Sequence, residues 1–524
     1  MKFRILVILI FCFSVVYGQN RILLQHSYFK EKFIYCSKNK SIETFFPANA
    51  SQLDVAHLNR DSIVVYSDLE NYLFKRFPIE IKKEDFKLAI TPLINYAKGR
   101  VGTLDSNYWP VYRNTRGIYA EGELGKKIGF NFTFCENQAS FQAYENAYFD
   151  QQGEKYIKSY GIYSTQNAMI PGASRTKPFK VNGYDYAFSS GNMYINFHPK
   201  FQVEFGNNQH FIGSGYRSLL LSDNSSIAPN LRFKWKINRY LDYQVLYRKQ
   251  LNLYRKPTTW AVESNYETKL FAASYLTFKP KESIAISLFT GGNQLRGDSM
   301  QMHTLDARQL LPLPLLQNDL ILGNTSILNG ITGINIDLAF TKVRVYGQVV
   351  ADKFNSTWLG AGQLGFYYFN AFGVKNLQIQ CEWNQVPHHF YAANRAKLAY
   401  SNYNLPSAHP KGNNFKELFV KLGYTYSRFY LTSKTNFYFT QGGDLNQQFM
   451  SNSIFVLDPS QNTNQQGNTI LQNLEFGYRM NNLYNATLFI AYQGRASNYH
   501  PLDNTYQCLM LGIRTAITNE YFDF

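Results

Sequence analysis

An antiparallel transmembrane β-barrel of about 18 strands, preceded by a short N-terminal periplasmic segment, is the fold class this sequence predicts. Three observations carry that expectation. Segments in which apolar and polar residues alternate recur from about residue 85 to the C-terminus. The links between them are alternately short and long. The chain is also rich in strand-forming aromatic residues, with 40 Tyr and 42 Phe among 524 residues.

The first 18 residues read as a secretory signal. Lys2 and Arg4 form a charged start, Ile5 to Val16 an apolar core, and Tyr17-Gly18 precede a cut before Gln19. The core is short for a membrane anchor, and bulky Phe11 before Cys12 argues against a lipoprotein signal. Residues 19–84 alternate poorly and are expected to form a periplasmic segment at the barrel entrance. Within it, Ser67 to Phe77 suits a short helix capped by Ser67 or Asp68 and stopped by Pro78.

Residues 85–524 form the expected barrel. Ile334, Ile336, Leu338 and Phe340 oppose Asn335 and Asp337; Phe429, Leu431, Phe437 and Phe439 oppose Arg428, Thr432, Lys434 and Asn436. Successive side chains on a strand point to opposite faces, so the apolar set faces lipid and the polar set faces the lumen. Pro92, inside the first candidate strand, removes a ladder donor. Short links fall near 123–126, 198–200, 238–240, 279–282 and 480–482, and long ones at about 138–183, 207–229, 292–330, 387–415 and 442–467. A soluble β protein has no reason to sort its loops this way, whereas an outer-membrane barrel does. The terminal Tyr521, Phe522 and Phe524 resemble the signal read by the barrel-insertion machinery. A mean hydropathy of −0.32, with no long apolar run after residue 17, excludes a helical membrane protein.

Charge narrows the partners. Removing Lys2 and Arg4 from a formal net charge of +17 leaves +15. In an exported chain this points to outer-membrane lipid or an acidic surface polysaccharide and away from nucleic acid. The expected lumen set leans basic, with Arg232, Lys234, Lys236, Arg344, Arg428, Lys434, Arg479 and Arg514 against Glu204, Asp337, Asp352, Glu382 and Glu475. Two readings stand: a charge-paired, water-filled or plugged lumen, and an electrostatic surface for an acidic glycan. Cys36, Cys135, Cys381 and Cys508 are isolated and are expected to be free, buried thiols. His388-His389 makes a poor metal site, because neighbours on a strand diverge and no acid or thiol lies close. No metal or cofactor is expected.

The stretch from Phe205 to Asn230 organises the chain. It joins two alternating segments and carries Gly213, Gly215, His210, Arg217 and the run Leu219-Leu220-Leu221, followed by Asp223 and Asn224. Glycines permit tight bends, and three leucines exposed to water cost about 25 cal/mol per Å² of apolar surface. The loop is therefore expected to fold inward as a plug and narrow the pore. Arg217 should meet an acid, with Glu204 and Asp223 nearest in sequence, while His210 and Arg217 stay within reach of a bound sugar acid. Gly213-Ser214-Gly215 lacks a nucleophile-elbow context, and no Gly-Lys-Ser/Thr follows for a phosphate loop. His210 with Ser214 or Ser218 leaves a hydrolase reading open. In the 387–415 loop, Tyr391, Tyr400, Tyr403, Asn404 and His409 mix aromatic faces with hydrogen-bonding groups. That mixture suits a sugar ring and equally a packed loop.

The organising stretch resembles a signature of the Wzi-type capsule-assembly outer-membrane proteins, and more closely of their RemB-type gliding-motility relatives. Asn114-Thr-Arg-Gly117, Lys177 to Tyr186 and Tyr403 to Phe415 support the resemblance, in order along the mature chain. It implies a non-enzymatic barrel that binds or anchors surface polysaccharide, with His210, Arg217, Asp223, Asn224, Tyr403 and His409 as candidate ligand contacts. The RemB-type relatives imply a role in surface motility, with motility or adhesin machinery as partner. A porin-like solute channel and an outer-membrane hydrolase are the alternatives.

Overall fold

The computed structural model describes residues 26–37, 40, 42–48, 67–103, 108–125, 127–156, 165–166, 168–173, 175–255, 266–296, 302–310, 327–441, 466–498 and 505–524. The signal segment lies outside them. Eighteen strands among these residues form a closed antiparallel barrel. They are β1 Phe86–Thr103, β2 Tyr108–Leu124, β3 Ile128–Ser140, β4 Gly183–His198, β5 Phe201–Asn208 and β6 Ala228–Lys236. There follow β7 Leu241–Arg255, β8 Tyr266–Lys281, β9 Ile284–Leu295, β10 Leu328–Ala339, β11 Val343–Phe354 and β12 Thr357–Phe369. The last are β13 Leu377–Val386, β14 Phe415–Tyr426, β15 Phe429–Gln441, β16 Gln466–Asn481, β17 Ala486–Ser497 and β18 Tyr506–Thr515. Each pairs with its sequence neighbour, and β18 closes on β1 from Tyr506↔Thr103 to Arg514↔Asn95. Closure leaves no free edge in the hydrocarbon layer, where an unpaired backbone group finds no water.

The alternation places side chains as expected. On β10, Ile336 is 37% exposed on the outer wall and Asp337 is fully buried in the lumen. On β15, Leu431 faces out and Asn436 in. One rim carries only links of two to seven residues; the other carries the long loops, with the four-residue link 104–107 and the two-residue link Asn355-Ser356 as its exceptions. Depth along each strand then sets the cost of a charge on the lipid face. Leu364, mid-strand on β12, is 63% exposed. Leu431 lies close to the short turn before β15. Leu364→Arg is expected to destabilise the barrel by about 2–4 kcal/mol and Leu431→Arg by about 0–1 kcal/mol. Urea unfolding of the protein folded into vesicles measures both; equal losses would contradict the assigned depth.

Four sequence expectations are corrected. First, the N-terminal segment does not stop at the entrance. Helix α1, Ser27–Ser37, sits inside the short-turn rim, with Tyr28 Oη donating to Asn482 at 3.0 Å and Glu31 paired to Lys421 of β14 at 2.5 Å. The chain then climbs the lumen to Phe45–Phe46, both buried. The expected helix does form, as α2, Asp68–Phe74, with Ser67 Oγ accepting from Glu70 N at 3.2 Å. Ile79–Lys82 then pairs with β1 below the end of β18.

Second, Pro92 sits in an unbroken β1 at little cost. It falls between the end of the Ile79–Lys82 pairing at Ile90 and the start of the β18 pairing at Asn95, where among the described residues no strand pairs on that side to need an N–H. Third, the terminal aromatics are not at a strand end. After β18 ends at Thr515, the tail turns back into the lumen, where Tyr521 and Phe524 are buried and Phe524 stacks on Tyr148 at 3.8 Å. Fourth, the described thiols form no disulfide but differ in burial: Cys508 is buried, whereas Cys36, Cys135 and Cys381 are half-buried. Cys381 shares the lipid-facing side of β13 with Trp383.

Candidate functional site in the plugged lumen

Residues 209–227, between β5 and β6, fold into the lumen as expected. Phe211–Ile212 pairs antiparallel with Phe45–Phe46, so the plug loop and the N-terminal segment form one two-stranded ribbon inside the barrel. Gly213 is what this path requires: its φ is +124°, and a Cβ there would meet Gln348 Nε2 at 2.6 Å. Gly215 presses the next two residues against β13, where Glu382 accepts Tyr216 N at 2.8 Å and Arg217 N at 3.1 Å. From below, Lys30 of α1 donates to Gly215 O at 2.6 Å and lies 3.8 Å over the Phe211 ring.

Leu219, Leu220 and Leu221 are fully buried. Their backbone is satisfied individually. Leu219 N donates to Gln348 at 2.7 Å, while Tyr391 and Tyr400 donate to the carbonyls of Leu219 and Leu220 at 2.7 and 2.8 Å. Ser218 Oγ accepts from the amides of Leu220 and Leu221 and donates to Ile212 O at 2.6 Å. Apolar burial thus comes without orphaned amides, the usual obstacle to burying a loop.

The charged candidates are enclosed by protein partners. Arg217, 1% exposed, contacts Glu417 of β14 at 3.3 Å and Asp523 of the tail at 3.0 Å, and donates to Tyr438 at 3.0 Å. The expected partners Glu204 and Asp223 are otherwise engaged. Glu204 pairs with Arg232 at 2.5 Å and His210 at 3.2 Å. Asp223 accepts from Tyr521 at 2.8 Å and Asn519 at 2.9 Å. His409 meets Glu417 at 2.7 Å, so one carboxylate joins the plug loop to the 387–414 loop. Burial holds the His210 imidazole down, to about 4, and pushes the Asp223 carboxyl up. His210 and Arg217 are therefore closed off from a sugar acid in this conformation, contrary to expectation, because strand and tail residues meet the groups that were to meet the ligand.

Asn224 donates to Pro406 O at 3.3 Å, and Tyr403, at φ +52°, is half-buried with its N–H on Leu251 O at 2.9 Å. The 387–414 loop packs over the plug: Tyr391, Tyr400, Asn404 and His409 are all buried. His388 and His389 do not diverge. They lie in a turn with His389 at φ +62°, and their rings are 3.8 Å apart. No group of three metal-binding side chains occurs among the described residues. Neither serine of the hydrolase reading bonds to His210: Ser214 Oγ donates to Asp337, and Ser218 Oγ to Ile212 O. Sequence reasoning missed Glu417 and Asp523. Glu417 alternates with Leu418 on its strand and was legible as lumen-facing; Asp523 was hidden by reading the tail as a strand end.

Beside this plug, a cavity of about 650 Å³ runs along the β14–β18 wall. Its lining extends from Asn376, Ser427 and Asn485 at the short-turn rim up to Gln142 and Gln493.

No protein-family profile and no curated protein matches the sequence. Solved structures do match. Wzi of Escherichia coli, described as an outer-membrane protein involved in group 1 capsule assembly and a carbohydrate-binding β-barrel, is 11% identical; the match covers 94% of this chain and 99% of that one with a TM-score of 0.52. Pseudomonas aeruginosa OccK7 is 10% identical over 82% of this chain and 98% of its own, with a TM-score of 0.45. Pseudomonas aeruginosa OprD is 10% identical over 86% and 98%, at 0.41. The likeness to Wzi is one of fold. With the closed barrel and its lipid-facing wall, it locates the chain in the outer membrane.

Proposed function

We propose that the chain is a non-enzymatic outer-membrane barrel that binds surface polysaccharide and holds it at the cell exterior. The observation that carries this reading is the plug. A barrel of this size with an empty lumen is a pore; here three segments, from the N-terminus, the 209–227 loop and the C-terminal tail, meet in its lumen. Such a barrel serves as a platform for its long loops. The carbohydrate binding ascribed to Wzi, whose fold this chain shares over 94% of its length, supports the same reading. The basic charge favours an acidic polymer. Anchoring of motility or adhesin machinery, as the RemB-type resemblance implies, would use the same platform.

A strain lacking the protein is expected to shed cell-associated polysaccharide, or to lose surface spreading if the motility role holds, with recovery on re-expression. A strain unchanged in both would overturn the proposal. The second reading, a solute channel, is favoured by the cavity along β14–β18; ion conductance of the intact protein in planar bilayers would establish it.

A further inference from the structure

We infer that the cavity along the β14–β18 wall is a binding site for a carboxylate-bearing saccharide unit. The inference takes the ligand's sugar character from the function proposed above and its charge from the cavity itself. Most charges facing this space are already neutralised. Lys421 pairs with Glu31 at 2.5 Å, Arg514 with Glu475 at 2.5 Å, and Asp523 with Arg217 at 3.0 Å. Two cations on the wall are not. Lys434 of β15 and Arg479 of β16 line the cavity with no carboxylate in ion-pair contact among the described residues, as does Lys32 of α1, which donates to Tyr28 Oη at 3.4 Å; Glu520 also lines it unpaired.

Their neighbours are rings. Arg479 lies 4.1 Å over Tyr28 and 4.8 Å over Tyr430, and Lys434 lies 5.4 Å from the Tyr216 centroid. A ring face steadies a cation without neutralising its charge, and Arg479 commits only its Nε, donated to Asn485 at 3.4 Å. The rest of the wall is rich in amides and hydroxyls, among them Asn95, whose Oδ1 is buried without a hydrogen-bond partner. Two wall cations without a carboxylate partner, set among hydroxyl-recognising amides, suit a sugar that carries a carboxylate.

The test uses the full-length protein in detergent, titrated with trigalacturonate, with maltotriose as neutral control and inorganic phosphate as anion control. Trigalacturonate should bind, with maltotriose and phosphate each at least about tenfold weaker. Lys434→Gln and Arg479→Gln should each lower trigalacturonate affinity about tenfold, the scale of one lost charge-assisted bond. Lys236→Gln, exposed outside the cavity, should leave it unchanged. Heat-modifiable mobility confirms that each variant is folded. Absence of trigalacturonate binding, equal binding of maltotriose or phosphate, or folded variants with unchanged affinity would overturn the inference. A protein that still retains polymer on cells but fails this titration loses the cavity site and keeps the proposed function.

Discussion

Deleting residues 213–221 turns a closed barrel into a conducting one. The deletion removes the leucine run and the two glycines that bring the loop against the wall, while leaving every strand of the barrel intact. With the central filler gone, the lumen of an 18-strand barrel should pass ions, and conductance in planar bilayers should rise about tenfold or more. The deleted protein should still insert, because the residues removed make no pairing in the barrel sheet. A variant that inserts normally and conducts no better than the parent would show that these residues do not close the pore.

The second large effect is expected at Arg217. Its guanidinium is the cation shared by Glu417 and Asp523, and Glu417 also holds His409, Asn384 and Asn436. Arg217→Ala leaves a fully buried carboxylate without its counter-ion, a change that costs about 3–5 kcal/mol. The loss should fall on the plug and not on the ladder. Hydrogen exchange should speed up across 209–227 and 516–524 while the strands stay protected. Arg217→Ala combined with Glu417→Gln should recover part of the loss, because the stranded charge is gone. Loss of strand protection to the same extent as plug protection would mean that Arg217 supports the barrel itself. Under the proposed function, Arg217→Ala also weakens polysaccharide retention while the barrel still assembles.

The barrel was legible in the sequence because a membrane wall imposes a strict rule. Each strand must show apolar residues to lipid at every second position, so Ile334, Ile336 and Leu338 announce their face without reference to any neighbour. The leucine run was legible for a related reason: three adjacent leucines in a glycine-rich loop have no stable place in water. What covers the plug was not legible. Arg217 finds Glu417, 200 positions away, and Asp523, farther still, through packing that no local pattern encodes. The N-terminal segment and the tail misled for the same reason. Tyr521 and Phe524 look like a strand-end insertion signal, and Phe45 and Phe46 lie in a segment without alternation, yet inside a wide barrel all four become filler, standing where water would otherwise be. Tyr391, Tyr400 and His409 show the converse: residues that suit a sugar ring also suit a buried loop, and here they close over the leucines.

Everything proposed for the lumen depends on the N-terminal segment and the 209–227 loop meeting inside the barrel, so the most direct test is to join them. Phe45 and Ile212 are register partners in the two-stranded ribbon. In a background with the native cysteines changed to Ser, the Phe45→Cys, Ile212→Cys pair should close a disulfide under mild oxidation in the folded, membrane-inserted protein. Peptide mapping should recover the two segments as one cross-linked species. If instead both cysteines stay reduced and a membrane-impermeant maleimide labels them in the folded protein, the segments do not meet and the plug is not built as described.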